Sequence, residues 1–254
     1  MEVVITDQTE QVAADIVTTA LATGATMLGL ATGSSPLPTY RELIRRHRER
    51  GLSFAGVEAV MLDEYVGLPP SHPQTYAHFI RTEFCDHVDI KVIHSPDGMS
   101  DNILAASDAY DELIATRGPV DVQILGIGAN GHIGFNEPTS SLTSRTRVKT
   151  LTERTRTDNA RFFSSPAEVP RHVITQGLGT ICDARHLVLI ATGAGKAAAV
   201  AAAVEGPIAA MCPASVLQWH RHATVIVDEA AAGDLALADY YRYVLAHKPP
   251  LQGF

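Results

Sequence analysis

The chain has 254 residues, of which 46% are hydrophobic and 19% charged, and its net charge is -8. That length and balance suit a globular protein with a sizeable buried core and exclude a disordered chain. The acidic excess argues against general binding to nucleic acid or anionic membrane, but leaves an anionic small molecule open, because a phosphate responds to local donors more than to the whole-protein field.

Short β-branched runs alternate with longer helical patterns along the chain. The pattern predicts a strand at 3–6, a helix at 9–21, a strand at 27–31 and a helix at 36–46 with proline in its first turn. A strand at 57–62, a helix at 74–84, a strand at 92–94, a helix at 103–115 and a strand at 122–125 follow. The second half predicts strands at 187–191 and 223–227 and helices at 196–204 and 234–245. The basic run Arg45 to Arg50, RRHRER, ends a helical pattern and reads as a solvated face. Strands apolar on both faces with helical crossovers imply an α/β fold: a doubly wound, mostly parallel sheet with helices on both faces. No linker or repeat divides it, so a single domain over 1–254 is expected, with the polar segment 140–171 as a mobile cover.

Cys85, Cys182 and Cys212 are odd in number and far apart, which supports neither a zinc ribbon nor a disulfide framework. The N-terminal MEVVITDQTEQ lacks a signal pattern and no apolar run approaches a membrane span, so a cytoplasmic protein is expected.

In parallel sheets ligands sit beyond the carboxyl ends of the strands. Four polar loops fall there: TGSSP, DEYVGLP, GIGANGHIGFNEP and TGAGK. The third contains G-x-G-x-x-G, the dinucleotide fingerprint. It comes halfway along the chain rather than after the first strand, and HIGFNEP, with Gly134 and Pro138, is a poor helix opening. The glycines read instead as a tight turn with amides free to face a ligand. His132 and Glu137 in that loop have the form of an oriented acid/base pair, a carboxylate at one ring nitrogen fixing the tautomer. Asp63 and Glu64 would point in opposite directions along a strand, so only one need face a cleft.

Thr32, Gly33, Ser34 and Ser35 precede a helix and form either an anion site or a simple cap. Lys196 also sits at a loop-to-helix step, but Ile190 and Ala197 break the Walker pattern, which excludes a nucleotide triphosphate and leaves a phosphate monoester. His220-Arg221-His222 lacks further ligands at metal spacing and reads as packing or surface. The zinc nucleobase deaminase signature is absent.

LDEYVGLPPSHPQTY, GIGANGHIGFNEPTSSLTSRTRVKTLT, NARFF and AVEGPI resemble the glucosamine-6-phosphate deaminases, also called glucosamine-6-phosphate isomerases, over nearly the whole chain. Sugar-phosphate lactonases of the same superfamily keep the architecture without the pair DEYVGL and GHIGFNEP. The resemblance implies conversion of D-glucosamine 6-phosphate and water to D-fructose 6-phosphate and ammonia, with neither metal nor organic cofactor. It implies Asp63 as the base that moves the proton from C2 to C1 of the opened sugar, His132 at ring opening and Glu137 orienting it. Asn130 stands where some members have Asp, and can hold the imidazole without adding charge. Thr32, Gly33, Ser34, Ser35, Arg161 and Lys196 are implied as the phosphate site. Ser140, Arg147, Lys149 and Thr150, with Tyr243 as partner, match an allosteric site for N-acetylglucosamine 6-phosphate between subunits. A homo-oligomer, a hexamer by family analogy, would follow. A lactonase and a non-catalytic sugar-phosphate sensor are the alternatives.

Overall fold

The computed structural model describes residues 1–249 and 253–254; at Arg154, Asp158 and Phe162 the description covers the backbone. The single unit expected over 1–254 therefore also spans 250–252, which lie outside the described residues.

Chain order is β1 (Glu2–Ile5), α1 (Thr9–Ala22), β2 (Met27–Leu30), α2 (Leu37–Arg50), β3 (Glu58–Met61), β4 (Asp63–Tyr65), α3 (Tyr76–Glu83), β5 (Val92–His94), α4 (Ile103–Arg117) and β6 (Val122–Leu125). Then come β7 (Arg147–Thr150), α5 (Glu153–Asn159), β8 (His172–Thr175), α6 (Leu178–Cys182), β9 (His186–Ala191), α7 (Ala197–Val204), β10 (Ala223–Val227) and α8 (Ala238–Ala246). Seven strands form one sheet in the order β1-β10-β9-β6-β2-β3-β5, and every neighbouring pair in it runs parallel. Every residue of β2, β6, β9 and β10 is buried, which is why they read as unbroken apolar runs. From β2 the chain continues to its neighbour β3; from β6 the next strand of this sheet is β9, on the other side. The crevice between β2 and β6 is thus where strand order reverses, the position that collects ligands in open α/β sheets.

A second, three-stranded sheet, β4-β8-β7, is antiparallel. It corrects one expectation and adds structure to another segment. The strand expected over 57–62 ends at Met61, and Asp63 starts a new strand instead of lying in a loop. The segment 140–171, expected as a mobile cover, contributes β7, paired to β8 from Arg147↔Thr175 to Thr150↔His172.

The basic run is also only partly a solvated face. Helix α2 continues to Arg50, and Arg46 within it is buried. Its guanidinium meets Glu42 Oε1 at 2.7 Å and Asp15 Oδ1 at 2.7 Å, which ties α2 to α1. A buried guanidinium is tolerated because both forks are paired. Helix α8 starts at Ala238, four residues later than expected from 234. The His220-Arg221-His222 stretch serves packing: His222 stacks on the buried His186 at 3.6 Å between ring centroids, and His220 reaches the Ala184 and His222 carbonyls.

Candidate active site

A cavity of about 390 Å³ opens at the carboxyl ends of β2, β3, β6 and β9. Larger hollows of about 770 and 520 Å³ lie at the amino ends of the strands, around Met1 and Arg221 and around Thr26 and Asp121, but hold none of the four polar loops. The strand-end cavity is walled by Thr32, Gly33, Ser34, Ser35, Asp63, His132, Arg161 and Lys196 together.

Its first wall is the turn after β2. Tyr40, buried on α2, donates to the Ala31 carbonyl at 2.8 Å and accepts from the Ala31 amide at 3.0 Å, so the helix pins the strand end that launches the turn. The residue at the N-cap of α2 is Pro36, which makes no side-chain cap bond, so the cap position is taken by neither Ser34 nor Ser35. Both residues line the cavity, where their hydroxyls are candidates for an anion cradle. From β9, Lys196 reaches across to donate from Nζ to the Ile127 carbonyl at 2.7 Å, and its burial lowers its pKa. The loop that carries it is held by Asp228, whose carboxylate accepts from the Gly193 amide at 2.9 Å and the Ala231 amide at 2.7 Å.

The second wall is Asp63, only 4% exposed. Burial, and next the neighbouring Glu64 carboxylate, push its pKa up to about 8. Glu64 points the other way, as strand alternation requires, and accepts from the backbone amides of Tyr65, Tyr76 and Ala77 at 2.8, 3.0 and 2.9 Å. It therefore sits on the amino end of α3, whose first residue, Tyr76, faces the cavity and stacks on Tyr65 at 4.6 Å.

The third wall is the glycine loop after β6. A methyl group on Gly128 would overlap the His132 ring, and Gly134 has φ of +54°, with Thr175 Oγ1 at 3.1 Å and Asp63 Oδ2 at 3.7 Å from where a Cβ would stand. These glycines let an imidazole fold back on its own loop. His132 Nδ1 bonds Asn130 Oδ1 at 2.7 Å, and Asn130 Nδ2 donates to Glu137 Oε2 at 2.6 Å. Glu137 itself is 3.6 Å from Nδ1, beyond hydrogen-bonding distance. Asn130 thus holds the imidazole, as expected of it, while Glu137, expected to orient the ring itself, orients Asn130. The amide assignment follows from its partners: only NH2 can donate to a carboxylate, which leaves the oxygen for the ring. The Glu137 carboxyl is held down at about 2, first by His132 and then by Asn130, against the opposing effect of burial. Neither Asn130 nor Glu137 lines the cavity; they stand behind the ring that does.

Sequence reasoning missed Tyr76, Phe135, Thr155 and Asn159 on the cavity wall. Thr155 and Asn159 are four apart on α5 and share a face, a spacing legible once a helix is placed there. Asn159 donates to the Tyr65 hydroxyl at 2.8 Å, and Thr155 to Glu137 Oε1 at 3.3 Å. The implied allosteric residues are not gathered in one chain. Arg147, Lys149 and Thr150 lie on β7, and Ser140 is buried before it. Tyr243 instead lies on α8, which packs against the edge strand β1, and it lines the hollow at Met1 and Arg221.

Fold and cavity together define a doubly wound α/β protein in which a hydroxyl-bearing turn at a strand end, a buried carboxyl and a braced imidazole line one cavity. Residues 1–226 match the family described as glucosamine-6-phosphate isomerases/6-phosphogluconolactonase, and the chain belongs to that family. It is 62% identical, over 259 aligned positions spanning 100% of both chains, to a glucosamine-6-phosphate deaminase of Rhodococcus opacus (strain B4). Among solved structures, a monomeric glucosamine-6-phosphate deaminase of the NagB superfamily is 41% identical with a TM-score of 0.88, covering 92% of this chain and 100% of that one. A 6-phosphogluconolactonase from Trypanosoma brucei shares the fold at 20% identity and TM-score 0.69, over 92% and 98% of the two chains.

Proposed function

We propose that the chain is a glucosamine-6-phosphate deaminase, converting D-glucosamine 6-phosphate and water to D-fructose 6-phosphate and ammonia. The observation that carries this is one cavity bounded by Asp63, His132 and the Thr32–Ser35 turn, in a chain 62% identical to a named deaminase over its whole length.

The chemistry fits the residues. A closed sugar ring has no acidic C–H at C2, so His132 acts first, moving a proton to the ring oxygen and releasing the aldehyde. Asp63 then takes the C2 proton and returns it at C1, which turns the aldose amine into a ketose imine. Water adds at C2, the C–N bond breaks, and ammonia leaves as the C2 ketone forms. The base must be ionised to begin; the substrate's 2-ammonium group supplies an opposite charge that favours ionisation of a carboxyl whose pKa burial and Glu64 raise to about 8. The phosphate carries about -1.5 to -2 charges, and the Thr32–Ser35 turn, Lys196 and Arg161 offer amides, hydroxyls and cations to match it. Binding at that remote group holds the short-lived open chain over Asp63.

Incubation of pure protein with glucosamine 6-phosphate should release ammonia and fructose 6-phosphate in equal amounts. Turnover of a sugar-phosphate lactone without ammonia release from the amino sugar would refute the assignment. A cytoplasmic location belongs to the same reading. Activation by N-acetylglucosamine 6-phosphate requires a second copy to bring a Tyr243 to the β7 residues. An unchanged half-saturating substrate concentration on adding that sugar, together with a solution mass of one chain, would remove both the activator and the oligomer.

A further inference from the structure

We infer that Asn136 and Gln176, neither of which lines the cavity, form a buried clasp that sets the position of Asp63 relative to His132. The inference rests on the proposed deaminase reading for its kinetic consequence and on geometry for the rest.

Strand β3 must stop at Met61 for Asp63 to be diverted into the second sheet. Its pairing with β5 has already ended at Val60↔His94, so the next polar backbone groups need other partners in a dry interior. The Met61 amide donates to the Tyr110 hydroxyl at 2.9 Å, and the Met61 carbonyl accepts from that hydroxyl at 2.8 Å and from Gln176 Nε2 at 2.9 Å. The Leu62 carbonyl accepts the Gln176 amide at 2.8 Å. One glutamine thus grips both carbonyls immediately before Asp63.

The same residue is gripped from the imidazole's loop. The two hydrogens of the Asn136 amide go to the Gln176 carbonyl at 2.8 Å and the Ile133 carbonyl at 3.0 Å, and Ile133 follows His132 directly. Asn136 is 0% exposed and Gln176 1%, so no water competes for these bonds. The Asn136 amide to the Gln176 carbonyl links the acid/base loop to the strand break, beside a second contact in which the Phe135 amide donates to Thr175 Oγ1 at 3.2 Å on the residue paired with Asp63. Replacing the Asn136 or Gln176 side chain removes one end of the first chain of contacts. The phosphate cradle stands on β2 and β9 and shares neither residue. These are positioning residues: they hold two reacting groups in register, where a displacement of about 1 Å costs on the order of 100-fold in rate.

The test uses Asn136→Ala and, should that variant fold poorly, Gln176→Met, which keeps the Gln176 backbone bonds and removes only the donor to Met61. Two readouts are taken from each folded variant. Turnover of glucosamine 6-phosphate should fall about 100-fold with KM within about threefold of the parent. Backbone hydrogen exchange should rise in residues 60–66 of Asn136→Ala and in residues 130–137 of Gln176→Met, segments that each altered side chain reaches through the other. A kcat within fivefold of the parent, or a loss expressed in KM alone, overturns the clasp. If the parent protein releases no ammonia, the deaminase reading fails by itself, and unchanged exchange across the clasp then overturns the inference independently.

Discussion

The Asp63 carboxyl is tuned against the stability of the fold, and Asp63→Asn exposes the conflict. In the unfolded chain an aspartate releases its proton near pH 3.9, whereas in the folded chain burial and Glu64 hold that proton up to about pH 8. Between those values the folded state binds the extra proton, so stability conferred by the group is complete below about pH 4 and falls as pH rises toward 8. The slope is about 1.4 kcal/mol per pH unit, or about 3 kcal/mol between pH 6 and 8. Asparagine has the same shape and no such loss. The melting temperature of Asp63→Asn should therefore gain on that of the parent by about 5–10 °C between pH 6 and 8, measured calorimetrically on ligand-free protein. The same variant should lose hydrogen exchange at C2 of the substrate while still binding phosphate. Parallel pH dependence in the two proteins would mean that Asp63 is ionised in the folded state, and the account of its tuning would be wrong.

Lys196→Met keeps the alkyl stem and removes a charge-assisted bond worth about 1.5–3 kcal/mol. KM should rise about 10- to 150-fold with kcat within threefold, and inhibition by inorganic phosphate should weaken in step; an equal loss in kcat would place Lys196 in the chemistry instead. His186 is held neutral by burial, down to about 3, so stability present above the unfolded pKa of about 6.5 is lost as pH falls. The parent should lose about 2 kcal/mol between pH 6.5 and 5 that His186→Gln keeps, and superimposable acid-unfolding curves would contradict this. Asn130→Asp sets a second carboxylate where an amide now donates to Glu137 at 2.6 Å. The pair should then titrate in two steps, one of them well above the present Glu137 value of about 2, as read by carboxyl NMR; a single unchanged step would show that the two side chains part.

The cavity's main walls were legible because of one topological rule. Once Met27–Leu30, Val122–Leu125 and His186–Ala191 are read as parallel strands buried on both faces, the polar loops after them must share an edge. The second sheet was not legible. DEY, RVKT and HVIT are three or four residues long, too short for alternation to register, and two of them are polar enough to pass for loop. That Asn130 could hold the ring was legible, but not that Glu137 would reach it through Asn130: a His, an Asn and a Glu within eight residues permit either side chain to meet the ring. The bond at 2.7 Å from Asn130 depends on a fold-back that Gly128 allows only in three dimensions. Asn136 was invisible for a related reason, since an asparagine between glycine and proline reads as turn chemistry until its burial is known.

The arrangement divides labour between strands in a way that explains why the fold can serve different phosphorylated sugars. The proposed anion cradle belongs to β2 and β9, where Tyr40 and Asp228 hold the backbone from outside the cavity. The proposed reacting groups belong to β4 and the loop after β6, tied to each other through β8 and the residue that follows it. A change in the second set leaves the first intact, so phosphate affinity can persist while the chemistry above it is replaced. Conversely, the acid/base set cannot be moved piecemeal. Asp63 takes its position where β3 breaks, and Gln176, which with Tyr110 satisfies the backbone at that break, is also the residue that Asn136 joins to the loop of His132.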